Sequence, residues 1–362
     1  MSIPLTIRGR GATVDPPNRF EPIALEPDGD TLDADRATDP ATAPARRPTL
    51  VFRDRSRSII AYNDSPDVGF DASINPYRGC EHGCAYCYAR PYHEYLGLSA
   101  GLDFETKLFA KLESAELLRR ELSSRSWRPQ RLALSGITDP YQPVERKLRI
   151  TRACLEVLLD FRNPVGIVTK NHLVTRDLDL LRDLAGFGAV AVHVSITTLR
   201  NDVAAKMEPR ASSPAERLAA IRALTDAGVP VGVLVAPVMP GLTDHEPPEI
   251  VHAAADAGAQ FAGVIPVVRL PGAVKDVFVA WARAAYPDRA DRMLNRLREM
   301  RGGKLNESRF GARFRGKGAY ADQVMALFRA ARSRAGLAAR APELSVAHFR
   351  VPTGGVGQMT LF

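Results

Sequence analysis

The stretch Asn75-Pro-Tyr-Arg-Gly-Cys80-Glu-His-Gly-Cys84-Ala-Tyr86-Cys87 contains three of the four cysteines of this chain, spaced CxxxCxxC with an aromatic residue before the last one. Thiolate sulfur is the expected ligand of an iron–sulfur cluster. Three thiolates leave one corner of a four-iron cluster without a protein ligand. The pattern therefore predicts a cluster with an open iron that binds a small molecule, and not a pure electron carrier.

A zinc site built from the same cysteines and either His82 or His93 is the alternative interpretation. Structural zinc sites usually combine two short ligand pairs that are separated by a longer loop. The sequence has no second pair of that kind, which favours iron and sulfur over zinc.

The loop resembles the signature of the radical S-adenosylmethionine (SAM) superfamily. This resemblance implies that Cys80, Cys84 and Cys87 hold a [4Fe–4S] cluster whose open iron chelates the amino and carboxylate groups of SAM. It further implies reductive cleavage of SAM to a 5′-deoxyadenosyl radical that abstracts a hydrogen atom. An electron donor such as flavodoxin or ferredoxin would supply the electron.

Composition limits the class of protein. With 362 residues and an apolar fraction of 45%, the chain is expected to form one large or two medium globular domains. Four cysteines, three of them in one loop, indicate a reducing cytoplasm and not a disulfide framework. Neither a signal peptide nor a long apolar run is present, so we expect no membrane. The net charge of +8 favours polyanionic partners such as DNA.

Periodicity along the chain predicts an α/β fold. Residues 1–48 are rich in Pro, Asp, Ala and Thr and are expected to be disordered. In residues 49–270, short β-rich runs alternate with helical patterns, as in βα units on a parallel sheet. The predicted strands are 72–77, 131–135, 165–169, 189–196, 231–236 and 261–268. Six such strands predict a (β/α)6 partial TIM barrel of the radical SAM type, with the cysteine loop at the carboxyl end of the first strand, where barrels bind ligands.

Residues 271–340 are predicted to form a helical basic extension, with helices at 274–286, 290–301 and 319–338. Between Arg296 and Lys317 there are eight basic and two acidic residues, interleaved with Phe310, Phe314 and Tyr320. Such a segment suits contact with nucleic acid, in which Arg309, Arg313 and Arg315 bind phosphates and the aromatic rings stack on bases. The alternative is a solvated surface loop that its aromatic residues fix to the core.

Strand ends supply candidates for binding SAM. Lys170 ends the third strand, where its ammonium group could meet the SAM carboxylate; the alternative is a lysine that only extends to solvent. Ser195 and Thr197 end the fourth strand and lie on one face of it. Their hydroxyl groups bind SAM or form hydrogen bonds within the barrel.

The resemblance implies further contacts to SAM. Gly136, Thr138 and Asp139, after the second strand, correspond to a glycine-rich segment that receives the SAM amino group, although the usual Gly-Gly-Glu is absent. Tyr86 resembles the aromatic residue whose backbone meets adenine. Pro237, after the fifth strand, resembles an adenine-side contact.

The wider pattern resembles the spore photoproduct lyase-like branch, often called DNA repair photolyases, over residues 70–270. The matching segments are Asn75 to Cys80, Thr138-Asp-Pro-Tyr-Gln-Pro-Val-Glu145, Thr169-Lys170 and Arg176 to Leu180. Ser135 replaces the hydrogen-donating cysteine of the strict lyase, which places repair of the same lesion by the same relay in doubt.

Four further residues complete the candidates. Tyr141 is a candidate radical relay or a packed turn residue, and Cys154 is expected to be a small buried core residue. Arg210 is expected either to hold a substrate phosphate or to pair with Glu208.

The flexible tail, residues 341–362, ends in Gln358-Met-Thr-Leu361-Phe362. This pentapeptide resembles the motif that binds the bacterial DNA sliding clamp, with the glutamine amide and the Leu-Phe pair as anchors. The alternative is a tail that folds back and buries Leu361 and Phe362.

Together with the resemblance, these observations predict a cytoplasmic radical SAM enzyme that acts on nucleic acid, in particular on a damaged or modified base. Two alternatives stay open. One is radical modification of a protein or small molecule, and the other is a redox-responsive DNA-bound module that a sliding clamp recruits.

Overall fold

The computed structural model describes residues 9–20 and 47–352. Within these ranges the strands are β1 (Leu50–Arg53), β2 (Ile60–Tyr62), β3 (Ala72–Ile74), β4 (Tyr77–Arg78), β5 (Lys107–Ala110), β6 (Leu132–Leu134), β7 (Val165–Thr169), β8 (Val190–Ser195), β9 (Val231–Val235) and β10 (Phe261–Val264). One sheet has the order β10-β9-β8-β7-β6-β3-β2, and a smaller sheet has the order β1-β5-β4.

Six neighbouring strands of the larger sheet run parallel, from β3 through β6 to β10, and β2 pairs antiparallel with β3 at the edge. The predicted (β/α)6 partial barrel is thereby confirmed. Five of the six strands are shorter than predicted, three of them by one or two residues and the first and last by three or more. Proline has no N–H to donate to a ladder, so Pro76 separates β3 from β4 and Pro266 follows the end of β10.

Helices connect the strands and extend the chain beyond the barrel. The α-helices are Leu102–Thr106, Ser114–Leu122, Glu145–Leu148, Ile150–Phe161, Leu178–Gly186, Asn201–Met207, Pro214–Asp226, Pro247–Asp256, Val274–Ala285, Pro287–Met300 and Ala319–Arg334, with 3-10 helices at Arg90–Leu96 and His172–Asp177. The predicted capping box is present, since Ser213 and Glu216 each bond to the other's backbone N–H. No helix of these described ranges is both long and apolar enough to cross a membrane.

Two apolar clusters form most of the core, and one of them includes the cysteine loop. The larger one lies between the sheet and its helices and includes Cys154, which is fully buried as predicted. The second joins Cys84 and Tyr86 of the cysteine loop to Phe278 and Trp281 of the helix Val274–Ala285. The helices Val274–Ala285 and Pro287–Met300 therefore pack against the end of the barrel that carries the cysteines.

The prediction of disorder for residues 1–48 is wrong for residues 9–20. The backbone N–H groups of Gly11 and Ala12 donate to the Glu105 carboxylate, at 3.1 and 2.8 Å, and Ala12 is fully buried. Asn18 donates to the carbonyl groups of Glu94 and Leu98. Small residues let this segment lie close against the barrel, so its polar composition does not prevent order.

Residues 341–352 also depart from the predicted flexible tail. The N–H of Ser345 donates to the Gly188 carbonyl at 2.9 Å, and that of Arg350 donates to the Phe161 carbonyl at 3.0 Å. The rings of Phe349 and Phe161 lie 6.2 Å apart. This segment crosses the outside of the barrel helices, whereas Gln358, Leu361 and Phe362 lie outside the described residues.

One row across the sheet joins three strands through a glycine. Gly232 of β9 lies in register between His193 of β8 and Phe261 of β10. A Cβ atom on Gly232 would lie 2.1 Å from the Phe261 ring, so only glycine lets that ring cover β9 and approach His193, at 4.9 Å between centroids. Burial, and then the charge of Arg131, lower the pKa of His193 to about 4.

Acid is expected to destabilise the fold through His193. Its pKa is lower in the folded chain than in the unfolded one, near 6.5, so the unfolded chain binds the proton first and the free energy of unfolding falls as pH drops from 6.5 toward 4. The expected loss is roughly 2 kcal/mol between pH 7 and 5. Urea unfolding of wild type and His193→Leu at both pH values tests this, and equal pH dependence in the two proteins would contradict it.

Candidate active site

The cysteine loop, residues 79–90, follows β4 at the carboxyl end of the barrel. The N–H of Cys80 donates to the Phe104 carbonyl at 2.9 Å, and that of Ala85 donates to the Met207 carbonyl at 3.1 Å. Gly83 has φ of +64°, and a Cβ there would lie 2.7 Å from the Glu105 carboxylate. Backbone contacts therefore fix where the thiols can lie.

A buried ion pair braces this loop. Arg90 and Glu105 are both fully buried and lie 2.5 Å apart between Nη2 and Oε1. The Arg90 guanidinium also donates to the Cys84 carbonyl at 2.8 Å and to the carbonyls of Ala100 and Gly101. Glu105 also accepts hydrogen bonds from the N–H groups of Gly11 and Ala12. Its carboxylate therefore connects residues 9–20, the cysteine loop and the helix Leu102–Thr106.

The donor set fits an iron–sulfur cluster. Cys80 and Cys84 are buried and Cys87 is half-buried, and burial raises the pKa of all three thiols. Backbone N–H groups of His82 and Asp139 at Cys80, and of Ala89 at Cys87, act in the opposite direction by favouring the thiolate. Hydrogen bonds to sulfur are a known means of tuning such clusters.

The two histidines of the zinc alternative have other partners. The His82 ring contacts Asp139 at 3.4 Å and Asn171 at 3.1 Å, and Nε2 of His93 bonds to the Lys107 carbonyl at 2.9 Å. Across residues 9–20 and 47–352, no three His, Cys, Asp or Glu side chains converge on a single-ion site. A four-iron cluster needs no such convergence, because each cysteine binds a different iron.

Asp139 joins the ends of two strands to the cysteine loop. One carboxylate oxygen accepts from the Thr169 hydroxyl at 2.7 Å and the Tyr141 N–H at 2.9 Å, and the other accepts from the Lys170 N–H at 2.8 Å. The second oxygen also faces His82. Asp139 therefore lies beside the cysteine loop with its oxygens engaged by the protein, and its contact with SAM stays a prediction.

Lys170 points across the barrel mouth. Its Nζ donates to Ser195 Oγ at 3.1 Å, and that hydroxyl donates to the Ala236 carbonyl at 3.1 Å, directly before Pro237. Lys170 is half-buried, and its charge lowers the pKa of Cys84 and Cys87, which burial raises. The structure thus brings together the predicted Lys170, Ser195 and Pro237 and excludes a lysine that only extends to solvent.

Thr197 and Tyr86 meet at a carboxylate. The Tyr86 and Thr197 hydroxyls both donate to Oε1 of Glu208, and Arg217 pairs with its other oxygen. Burial raises the pKa of Glu208, but Arg217 and Lys170 outweigh that effect and lower it overall. The Thr197 hydroxyl therefore serves the barrel, which is the alternative that the sequence left open.

The end of β6 forms the neighbouring wall. The hydroxyl of Tyr88, the residue after Cys87, donates to the Gly136 carbonyl. Thr138 is buried and donates to the Tyr77 carbonyl at 3.3 Å, and Ser135 donates to the Thr138 carbonyl at 3.2 Å. Gly136 is therefore next to the cysteine loop, whereas the Thr138 hydroxyl is turned into the protein.

Arg210 does not pair with Glu208, and Tyr141 lies in the packed position that was one of its two predicted alternatives. Arg210 pairs with Glu81 at 3.0 Å, since Arg217 already occupies Glu208. The Tyr141 ring is fully buried in the main core, 6.0 Å from the Arg176 guanidinium carbon, and burial raises the pKa of its hydroxyl well above normal. This position is that of a packed residue and does not support a radical relay.

The basic stretch is less free than its sequence indicates. Arg309 pairs with Glu307 at 2.8 Å, and Arg313 pairs with Asp67 at 2.6 Å. Arg315 is exposed and has no ion pair within the described residues. The three arginines therefore do not form one uncompensated cationic face.

Sequence reasoning missed Glu105 and considered Glu208 only as a partner of Arg210, although both carboxylates organise the site. Glu105 and Glu208 are buried and hold the cysteine loop and Tyr86 from two sides. The Gln142 side chain also holds the loop, because its amide oxygen accepts a hydrogen bond from the Glu81 N–H at 2.9 Å. No local pattern distinguishes such residues from surface ones, because their partners are distant in the chain.

Comparisons with known proteins agree with this geometry. A model of the radical SAM superfamily matches residues 74–254, half of the chain. Uncharacterized proteins of Mycobacterium tuberculosis and Mycobacterium bovis are 36% identical over 245 residues, covering 66% of this chain and 71% of theirs. An uncharacterized protein of Methanocaldococcus jannaschii is 27% identical over 173 residues, covering 48% of this chain and 62% of its own.

A solved structure of spore photoproduct lyase with bound AdoMet and dinucleoside spore photoproduct superposes with a TM-score of 0.56 at 19% identity, covering 80% of each chain. At that identity the likeness shows a shared fold. With the three-cysteine loop at the mouth of this fold and the family model spanning half of the sequence, the chain belongs to the radical SAM superfamily.

Proposed function

We propose that this radical SAM enzyme acts on a base of DNA, as a repair-type enzyme does. The observation that carries the proposal is the fold shared over 80% of both chains with a lyase whose structure holds a dinucleoside spore photoproduct. The net charge of +8 agrees with a polyanionic substrate. Ser135, where the lyase has a hydrogen-donating cysteine, argues for a different hydrogen donor or a different lesion.

The chain's own residues would bind and orient the cofactors. When bound, the [4Fe–4S] cluster and SAM supply hydrogen-atom abstraction by an adenosyl radical. Cys80, Cys84 and Cys87 would hold the cluster, and the ammonium group of Lys170 would neutralise the SAM carboxylate. The hydrogen bond from Lys170 Nζ to Ser195 holds the side chain in place before any ligand binds, and the one from its N–H to Asp139 holds the backbone.

An assay of SAM cleavage tests the substrate class. Protein reconstituted with iron and sulfide without oxygen receives dithionite, SAM and either ultraviolet-irradiated or intact DNA, and 5′-deoxyadenosine is measured. We expect irradiated or modified DNA to raise its formation over the protein alone. Equal formation with every DNA, and unchanged DNA products, would contradict a DNA substrate.

A second candidate function has its own support. The pairing of Arg309 with Glu307 and of Arg313 with Asp67 removes positive charge from the segment expected to bind DNA. Modification of a protein or small molecule would need no such surface. In the same assay, this function predicts 5′-deoxyadenosine formation that no DNA alters.

The remaining partners are proposals as well. We place the enzyme in the cytoplasm, where a flavodoxin or ferredoxin would reduce the cluster. The pentapeptide from Gln358 to Phe362 would bind the DNA sliding clamp and bring the barrel to DNA.

A further inference from the structure

A groove lined by tyrosine and arginine opens beside the cysteine loop. Its lining includes Tyr88, Tyr92, Tyr95, Arg19 and Arg269, and its volume is about 180 Å³. Pockets that enclose a whole small molecule usually measure about 300 to 1,000 Å³. The groove is therefore suited to a flat part of a larger ligand.

Its aromatic residues are unusually exposed. Tyr88, Tyr92 and Tyr95 are 37%, 51% and 66% exposed. The rings of Tyr92 and Tyr95 lie 6.4 Å apart, and Phe20, also exposed, lies 4.8 Å from Tyr95. Aromatic side chains that are exposed to this extent can stack on the bases of unpaired nucleic acid.

Arg269 forms no ion pair with a carboxylate within residues 9–20 and 47–352. Its guanidinium carbon lies 5.7 Å from the Tyr88 ring centroid and 5.6 Å from that of Phe314. Its buried Nε has no hydrogen-bond partner among the described residues. By contrast, Arg19 pairs with Glu94 at 3.1 Å. Arg269 is therefore the cation that an anionic ligand would engage.

We propose that this groove binds one unpaired nucleotide of single-stranded DNA, with its phosphate on Arg269 and its base against Tyr92 and Tyr95. A guanidinium binds the phosphate, and the rings bind the base, so the two features together select a nucleotide over a simple anion or an apolar chain. Tyr88 connects the groove to the site, because it follows Cys87 and bonds to Gly136. This inference rests on the proposed function and names the surface that presents its substrate.

Binding of a labelled, thymine-rich single-stranded oligonucleotide to the reconstituted full chain, followed by fluorescence anisotropy, tests the groove. Tyr92→Ala is expected to weaken binding roughly tenfold, and Tyr92→Phe to retain it. Arg269→Gln is expected to weaken binding and to reduce the slope of log affinity against log salt by about 0.7, whereas Arg269→Lys keeps the slope. Thermal melting of each variant shows that it is folded.

Tyr62→Ala is the matched control. Tyr62 is 71% exposed and lies in register with Ala72, where the first barrel strand begins, at the opposite end from the cysteines. We expect this variant to bind like wild type.

If Tyr92→Ala and Arg269→Gln both bind with wild-type affinity, the proposal that the groove binds a nucleotide is overturned. The proposed function is then unaffected. Displacement of the oligonucleotide by an equal concentration of polyglutamate would also overturn the proposal for the groove, because the groove would then bind any polyanion. If these variants lose binding while no DNA alters 5′-deoxyadenosine formation, the groove is supported and the proposed function fails.

Discussion

Replacement of Cys84 by alanine is expected to abolish formation of 5′-deoxyadenosine. The loop offers three thiolates for the cluster, and the one further thiol, Cys154, is fully buried in the main core. Loss of one ligand cannot be compensated from elsewhere. We expect the rate of 5′-deoxyadenosine formation to fall by more than about 100-fold. This is a larger loss than is usual for changing a residue that only hydrogen-bonds to a metal ligand.

The control is Cys154→Ala, which removes a thiol of the same chemistry from a position without access to the loop. It should retain iron, sulfide and activity. Iron content and 5′-deoxyadenosine are measured on both proteins after the same reconstitution. Wild-type activity in Cys84→Ala, or its loss in Cys154→Ala, would show that the cluster is held differently.

Replacement of Arg90 by methionine is expected to lower the free energy of unfolding by about 3 to 5 kcal/mol. The change leaves the Glu105 carboxylate buried and charged, and its partners among the described residues are then only the N–H groups of Gly11 and Ala12. It also removes the donor to the Cys84 carbonyl. We therefore expect weaker retention of iron in addition to lower stability.

Arg119→Met provides the comparison, because Arg119 and Asp160 are also 2.5 Å apart but are each about half exposed. Water screens that pair, and its loss should cost no more than about 1 kcal/mol. Urea unfolding of both variants measures the difference. Equal midpoints would mean that burial does not set the strength of the Arg90 pair.

Local pattern accounts for most of the fold. The strand 165–169 was predicted with the bounds it has, because it is a β-branched run closed by a polar residue. The capping box of Ser213 and Glu216, which are three residues apart, identified the start of the helix Pro214–Asp226. Composition was a weaker guide, since it assigned disorder to residues 9–20, whose glycine and alanine allow close packing against the barrel.

The candidate site was predictable only in part. Cys80, Cys84 and Cys87 are close in sequence, so their spacing alone indicates that they act together. Lys170 and Ser195 were predicted to reach the same place because parallel strands end at one edge of a sheet. Their mutual hydrogen bond, however, depends on strands that lie 25 residues apart in sequence.

By itself, the sequence determined the cluster loop, the six parallel strands and the superfamily, because each rests on residues that are neighbours or follow a regular period. Tertiary structure alone decided which charges are cancelled: Glu105 by Arg90, Glu208 by Arg217 and Arg313 by Asp67. It also left Arg269 without an ion pair in the part of the chain that the structure describes, beside the exposed ring of Tyr88. The physical reason is that the strength of a charge depends on burial and on partners brought together only by folding.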